Sequence, residues 1–328
     1  MMKGWNLPVD QKNNKGKRLF LLFKLFVSVS VLAYLYTSVR YGEILSTVRQ
    51  ANQTLILFAV ILVFPNIFLQ FLKWKLICKA SLQLNENKNI WLSLFYGFSG
   101  GIATPFRLGE YLGRSMAFED KGIAEVSAAT LIDKLFVLIT VTFVGAFSTV
   151  SFLQSYYSMK LPIAILLDIA IVLFYLGLLY FSKKDEIFEN KLFSKLASIN
   201  YIKDFFKSLL SFRKLGRNNF IILSATTLVL CFVYIFQFAV LAEAYSNQDK
   251  LMMCFWAGIL VMFFKTIIPP ITLGELGIRE GASVFFLTKM GLNSAAALNA
   301  SLTLFSINIL IPSLIGFFLV ISKRSKGN

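Results

Sequence analysis

Pro105-Phe106-Arg107-Leu108-Gly109-Glu110-Tyr111-Leu112-Gly113-Arg114 returns 165 residues later as Pro270-Ile271-Thr272-Leu273-Gly274-Glu275-Leu276-Gly277-Ile278-Arg279. The shared pattern is P-x2-L-G-E-x3-R, and both copies interrupt strongly apolar sequence. Pro105, Gly109, Pro269, Pro270, Gly274 and Gly277 are the residues expected to break the helices there. Broken helices carrying charges at matched positions in two halves of a membrane chain point to a substrate site between structural repeats.

Membrane residence follows from composition. Of the 328 residues 57% are hydrophobic and 15% charged, with a mean hydropathy of +0.69, and apolar runs long enough to cross a bilayer recur along the chain. Six full spans are expected: Leu19 to Val39, Leu55 to Leu72, Glu125 to Val150, Leu161 to Phe181, Phe220 to Tyr245 and Leu302 to Ile321. Two further stretches are too short. Ile90 to Ala103 reaches only about 21 Å at helical rise against a hydrocarbon core of about 30 Å. Leu251 to Ile268 stops at Pro269-Pro270, passes through the second motif and resumes as Gly281 to Leu292. The expected fold is therefore an all-α polytopic membrane protein with about six spans and two re-entrant helical hairpins.

Lysine and arginine placement orients this layout. Lys3, Lys12, Lys15, Lys17 and Arg18 put the N-terminus in the cytoplasm, and Lys73, Lys75, Lys79 and Lys88 bring the chain back inside after the second span. Ser182 to Asn219 carries nine Lys or Arg against four Asp or Glu, so it too reads as cytoplasmic, and Lys323, Arg324 and Lys326 place the C-terminus there. The first hairpin then enters from the cytoplasm and the second from outside. One membrane domain results: residues 1–54 with a peripheral first span, repeat 1 over 55–150 with its tip at 104–114, a linking span and basic connector over 151–219, and repeat 2 over 220–321 with its tip at 269–280. The repeat is inverted, the architecture of alternating access. A chance match between two capping turns is the plain alternative.

Charged residues in the tips each cost about 2.5 to 3.5 kcal/mol at the bilayer centre unless paired or hydrated. Arg107, Glu110, Arg114, Glu275, Arg279 and Glu280 are the candidate substrate-binding residues. Either Glu110 with Arg114 and Glu275 with Arg279 lock each tip at i,i+4, or the arginines meet a ligand, for which phosphate suits guanidinium groups and helix N-termini alike. Asp133 and Lys134 are candidate cavity residues that either pair with the motif arginines or sit locally satisfied, with Lys134 reaching the surface. Lys265 is a third, facing the cavity from the outer side. In the connector, Phe188, Leu192, Leu196, Ile199, Ile202, Phe206 and Leu209 recur at helical spacing among lysines. An amphipathic helix is expected there, lying on the inner leaflet or packed on the spans.

Thr104-Pro105-Phe106-Arg107-Leu108-Gly109-Glu110-Tyr111, followed by Gly274-Glu275-Leu276-Gly277-Ile278-Arg279-Glu280, resembles the membrane region of lysylphosphatidylglycerol synthases, the multiple peptide resistance factors, and the wider flippase-like domain family. The resemblance implies a multi-span lipid translocase domain, two re-entrant hairpins, and movement of a phospholipid or polyprenyl-linked headgroup between leaflets. It points to Arg107, Glu110, Arg279 and Glu280. This sequence has Phe106 and Glu275 where the family commonly has glycine, which bears on the cavity's size and charge.

In those synthases an aminoacyl-transferring domain follows the membrane region, whereas this chain ends at Asn328, and no lysyl transfer is expected of it. There is no histidine, Cys78, Cys231 and Cys254 are scattered without ligand spacing, and no P-loop or dinucleotide fingerprint occurs. No metal, redox or nucleotide cofactor is therefore expected. The net charge of +16 sits in connectors where positive-inside bias and anionic lipid account for it, so no nucleic-acid partner is expected. The expected partner is a membrane phospholipid or polyprenyl-phosphate lipid in the cytoplasmic (inner) membrane, and a separate lipid-modifying enzyme stands as a candidate second partner. Two functions remain, a lipid flippase and a membrane-embedded lipid- or polyprenyl-phosphate-modifying transferase. A general small-solute carrier shares the inverted-repeat logic without the resemblance.

Overall fold

Asn52 opens the first long span by accepting, through its side-chain oxygen, from the backbone N–H groups of Thr54 and Leu55, which satisfies donors that a helix start otherwise leaves orphaned. The computed structural model describes residues 41–182, 216–268 and 277–325. Its elements, in order, are α1 (Tyr41–Gln50), α2 (Gln53–Ile61), α3 (Val63–Ile77) with a π-helical turn Cys78–Leu82, α4 (Asn87–Ala103), a 3-10 turn Pro105–Arg107, α5 (Leu108–Ser115), α6 (Ile123–Tyr157), α7 (Leu161–Ser182), α8 (Arg217–Ser246), α9 (Leu251–Ile267), α10 (Ile278–Lys289), α11 (Ser294–Phe305), a π-helical turn Ser306–Leu310 and α12 (Ile311–Ser325). No strand occurs among the described residues. The protein is an all-α polytopic membrane protein.

Five helical stretches are long and apolar enough to cross a bilayer among the described residues: Gln53–Leu82, Ile123–Tyr157, Leu161–Leu178, Arg217–Ser246 and Ser294–Lys323. The expected span at 19–39 and the amphipathic connector at 188–209 lie outside the described residues, as do Pro269, Pro270, Gly274 and Glu275. Two expected boundaries are corrected. The second span runs to Leu82 rather than ending at Leu72, because Lys73 is not a surface lysine at all: it is 3% exposed and paired inside the protein. The last span begins at Ser294, eight residues before Leu302, because a π turn joins α11 to α12 and continues the helix through Asn308.

Two apolar cores form at opposite ends of the long helices. One joins Trp74, Ile77, Ile90 and Leu94 of α3 and α4 to Val126 and Ala129 near the start of α6 and to Leu223 near the start of α8. The other joins Cys254, Leu260, Phe286 and Leu287 of α9 and α10 to Phe152 near the end of α6 and to Phe238, Leu241 and Tyr245 near the end of α8. A smaller cluster of Val141, Cys231, Ile235 and Met262 lies between them. α7 stays peripheral, packing mainly on α6 and turning Leu166, Leu173 and Phe174 outward, the face expected of a helix in lipid.

Candidate functional site

The first motif is the sharp end of a hairpin whose arms touch backbone to backbone. A Cβ placed on Gly109 would come 2.2 Å from the Gly100 carbonyl oxygen, and one on Gly113 would come 2.2 Å from that of Tyr96, so α4 and α5 approach as closely as small-residue helix pairs allow. α4 ends at Ala103. Thr104 then accepts from the Gly109 N–H at 2.6 Å and donates to the Gly100 carbonyl at 2.9 Å, tying both arms to one hydroxyl. Between them Phe106 and Arg107 take left-handed backbone, φ 52° and 54°. For residues with a Cβ this costs about 1 to 2 kcal/mol each. Phe106 is where the family resemblance expects glycine, and the backbone here has the conformation glycine favours.

Within this turn the charges form one continuous network. Lys73 Nζ lies 2.7 Å from Asp133 Oδ1. Arg114 reaches Asp133 Oδ2 at 3.0 Å and Glu110 Oε1 at 2.8 Å. Glu110 Oε1 also meets Lys134 Nζ at 2.7 Å, and its Oε2 accepts from Arg107 Nε at 3.1 Å. Glu110, Arg114, Asp133 and Lys73 are buried. The Arg114 guanidinium further lies 4.2 Å from the Trp74 ring, whose indole N–H donates to Ser93 Oγ, which in turn donates to the Arg114 carbonyl. Among the described residues, four cations thus meet two acids. Asp133 pairs with the motif's Arg114, whereas Lys134 pairs with the motif's acid, Glu110, rather than with an arginine, and keeps its side chain 37% exposed. The i,i+4 pair of Glu110 with Arg114 is present as expected, within a larger cluster.

The network forms one wall of a cavity of about 370 Å³. Arg107, Arg114, Asp133, Lys134 and Lys73 line that wall, with Phe106 and Tyr111 from the same turn. Opposite stand Lys265 and Thr266 at the end of α9, beside Tyr234 of α8. Lys265 Nζ sits 3.4 Å from the Tyr234 hydroxyl and 4.8 Å from its ring centroid. Asn66 and Gln70 of α3 and Asn308 in the π turn supply neutral polar groups, and Leu131, Leu135, Val137, Leu138 and Leu230 supply apolar wall. Of the sequence-derived candidates, Arg107, Arg114, Asp133, Lys134 and Lys265 share this cavity, with Glu110 directly behind it.

Of the second motif, Gly277 to Arg279 lie among the described residues. Arg279 and Glu280 are fully buried and pair with each other at 2.5 Å. Ser301 Oγ accepts from Arg279 Nε at 3.1 Å and donates to Glu280 Oε1 at 3.3 Å. Glu280 Oε2 also takes the Gly277 N–H at 2.7 Å, and Gly277 itself has φ 97°. These contacts fix the start of α10 against α11. Arg279 and Glu280 are not among the cavity-lining residues, so the structure separates them from the first-motif charges. The sequence reading put Lys73 in a cytoplasmic connector and did not single out Asn66 and Asn308; a polar residue inside an apolar span is the signal that finds such groups.

No curated protein matches the chain. A family profile described as the lysylphosphatidylglycerol synthase TM region matches residues 21–316, covering both motifs and all the described spans except the end of the last, which runs to Lys323. The match and the all-α membrane fold tie the protein to membrane lipid, and the chain belongs to the lysylphosphatidylglycerol synthase TM region family.

Proposed function

We propose that the protein is a lipid translocase that carries a phosphate-bearing headgroup between leaflets by alternating access, while the acyl tails stay in hydrocarbon. The observation that carries this reading is the cavity: one part rich in guanidinium and ammonium groups, the remainder a mixture of apolar side chains and a few polar ones, lying where the first hairpin tip faces the end of α9. Four cations against two acids suit an anion, and arginine suits phosphate in particular.

Re-entrance is supported by length. α4 has 17 residues and α5 has 8, about 26 Å and 12 Å, short of a core of about 30 Å. α10 has 12 residues, about 18 Å. Opposite entry of the hairpins is supported by the two cores, since α4 packs at the starts of α6 and α8 while α9 and α10 pack at their ends. Loop contacts agree with that inversion. Asn247 donates to the Gln50 carbonyl at one end, and Lys323 pairs with Glu119 at the other. With the basic connectors inside, the first hairpin opens to the cytoplasm of the inner membrane.

The transferase reading is weaker because Glu110 and Asp133 are each held by at least two cations, which leaves neither carboxylate poised as a base. Reconstitution separates the two. In liposomes the protein is expected to accelerate leaflet exchange of a fluorescent lipid with a phosphate-bearing headgroup, because such a headgroup otherwise has to shed its water to cross. If no such lipid moves faster and one is instead converted to a new species, the protein is an enzyme.

A further inference from the structure

Two spans break at one level of the molecule, and hydrogen bonds join the breaks. The first separates α2 from α3 at Leu62, whose ψ is −11° against about −42° in a regular helix. Pro65 follows three residues on; it has no N–H for the Ile61 carbonyl, and its ring crowds that carbonyl. The second break is the π turn Ser306–Leu310 between α11 and α12, an irregularity that recurs at functional positions in helices. Gln237 of α8 lies between the two. It donates from Nε2 to the Ala59 carbonyl, one turn before the first break, at 2.7 Å, and accepts through Oε1 from Asn308 Nδ2 in the π turn at 2.8 Å. Gln237 and Asn308 are both buried, which strengthens these bonds.

The elements on either side of this level pack into two groups. In one, α12 lies against α4 so closely that a Cβ on Gly316 would come 2.0 Å from the Phe95 carbonyl oxygen, Ser313 donates to the Phe98 carbonyl at 3.0 Å, and Trp74 of α3 donates to Ser93 of α4. In the other, Asn299 of α11 donates to the Ile44 carbonyl of α1 at 3.1 Å and Ser283 of α10 to the Ala297 carbonyl of α11 at 2.7 Å, while Ala59 of α2 shares a core with α9, α10 and α11. Each broken span begins in one group and ends in the other. α6 and α8, of 35 and 30 residues, run unbroken past both. The cavity straddles the boundary, with Lys73, Arg107 and Arg114 from the first group, Lys265 and Thr266 from the second, and Asn308 at the joint.

We propose that Leu62 and the Ser306–Leu310 turn are paired hinges on which α3, α4, α5 and α12 swing as one body, and that the bonds from Gln237 to Ala59 and Asn308 latch the described shape. This device rests on the alternating-access reading, whose moving parts it names. Packed helices do not deform continuously, so a change of shape is taken up where the backbone is already irregular. The charged wall travels with the swinging body while Lys265 and Thr266 stay behind, and the face to which the cavity opens changes with it. Asp133 and Lys134 hold the start of α6 to that body, so the swing tilts α6 and does not part the buried charges, which would be costly. Release of the latch is not. Asn308 lines the cavity and its Oδ1 has no protein partner, so an amide parted from Gln237 finds water there.

Labelling of Thr266→Cys by a membrane-impermeant thiol reagent tests this, in the reconstituted chain with Cys78, Cys231 and Cys254 replaced and the rate read separately from each face. Asn308→Leu removes the latch and is expected to raise the rate from the slower face about tenfold relative to the other, the scale of one or two net hydrogen bonds. Pro65→Ala restores an N–H for the Ile61 carbonyl and stiffens the first hinge, so it is expected to lower that relative rate severalfold. Pro65 is exposed, so its loss opens no hole in the core and the fold is retained. Opposite shifts separate a hinge and its latch from a general loosening, which would move both variants the same way. A ratio unchanged in Pro65→Ala, or shifts of both variants in one direction, overturns the device, and the first of these results does so even if Asn308→Leu does not fold. Reaction of the parent Thr266→Cys protein from one face alone is a different failure, which removes the alternating-access reading and the hinges with it.

Discussion

Glu110 is the residue on which the first hairpin's charges converge. It accepts from Arg107, Arg114 and Lys134 while fully buried. Removing one partner of a buried ion pair costs about 3 to 5 kcal/mol, since the charge left behind has lost its water and its counter-charge. Glu110→Gln is therefore expected to lower the thermal midpoint of the detergent-purified protein sharply. Lys134 is different: its side chain is 37% exposed toward the cavity, and Lys134→Gln is expected to leave the midpoint nearly unchanged while slowing lipid exchange. Equal loss of stability in both variants would reduce Lys134 to a structural lock.

Sequence made Glu110 and Arg114 legible, because i,i+4 spacing on one helix is local. It did not make Lys73 with Asp133 legible, because that pair joins residues 60 apart through the packing of α3 on α6. Lys73 sits where an apolar run ends, and the same charge that marks an interfacial lysine in one context marks a buried partner in another.

The motif's glycines act at the level of the helix pair. Gly109 is one of the positions where a side chain is excluded from the first hairpin, since its Cβ would meet the Gly100 carbonyl oxygen and the Thr104 hydroxyl together. Backbone atoms cannot swing aside as the end of a lysine can, so the arms have to part. Overpacking of this kind costs about 1 to 3 kcal/mol even when side chains absorb it. Gly109→Ala is expected to destabilise the protein by at least that much and to reduce exchange, whereas Gly177→Ala on peripheral α7, where nothing lies within 4 Å, is expected to change neither. A Gly109→Ala protein with wild-type melting would show that the arms are not in contact.

Broken helices were legible from proline, glycine and short apolar length. The π turns at Cys78–Leu82 and Ser306–Leu310 were not, since their widened hydrogen-bond register arises from how the neighbouring helices seat and no residue type announces it. Of the second copy of P-x2-L-G-E-x3-R only Gly277 to Arg279 lies among the described residues, and there Arg279 turns to Glu280 and Ser301 and secures α10, contacts that the spacing of the motif does not express.

At the scale of the molecule the helix pairs α4–α5 and α9–α10 pack at opposite ends of α6 and α8, with a polar cavity between the first motif and the end of α9. Alternating access requires this cavity to serve both leaflets in turn. Cysteine accessibility in reconstituted vesicles of known orientation tests it most directly, in a background with the native Cys78, Cys231 and Cys254 replaced, because Cys231 lines the same cavity. Single cysteines replacing exposed Asn218 and exposed Asp249 report the two faces: the first is expected to react with a membrane-impermeant thiol reagent only from the cytoplasmic side, the second only from outside. A cysteine replacing Thr266, which lines the cavity, is predicted to react from either side. Reaction of Thr266→Cys from one side alone, with the two face reporters behaving as expected, would contradict alternating access.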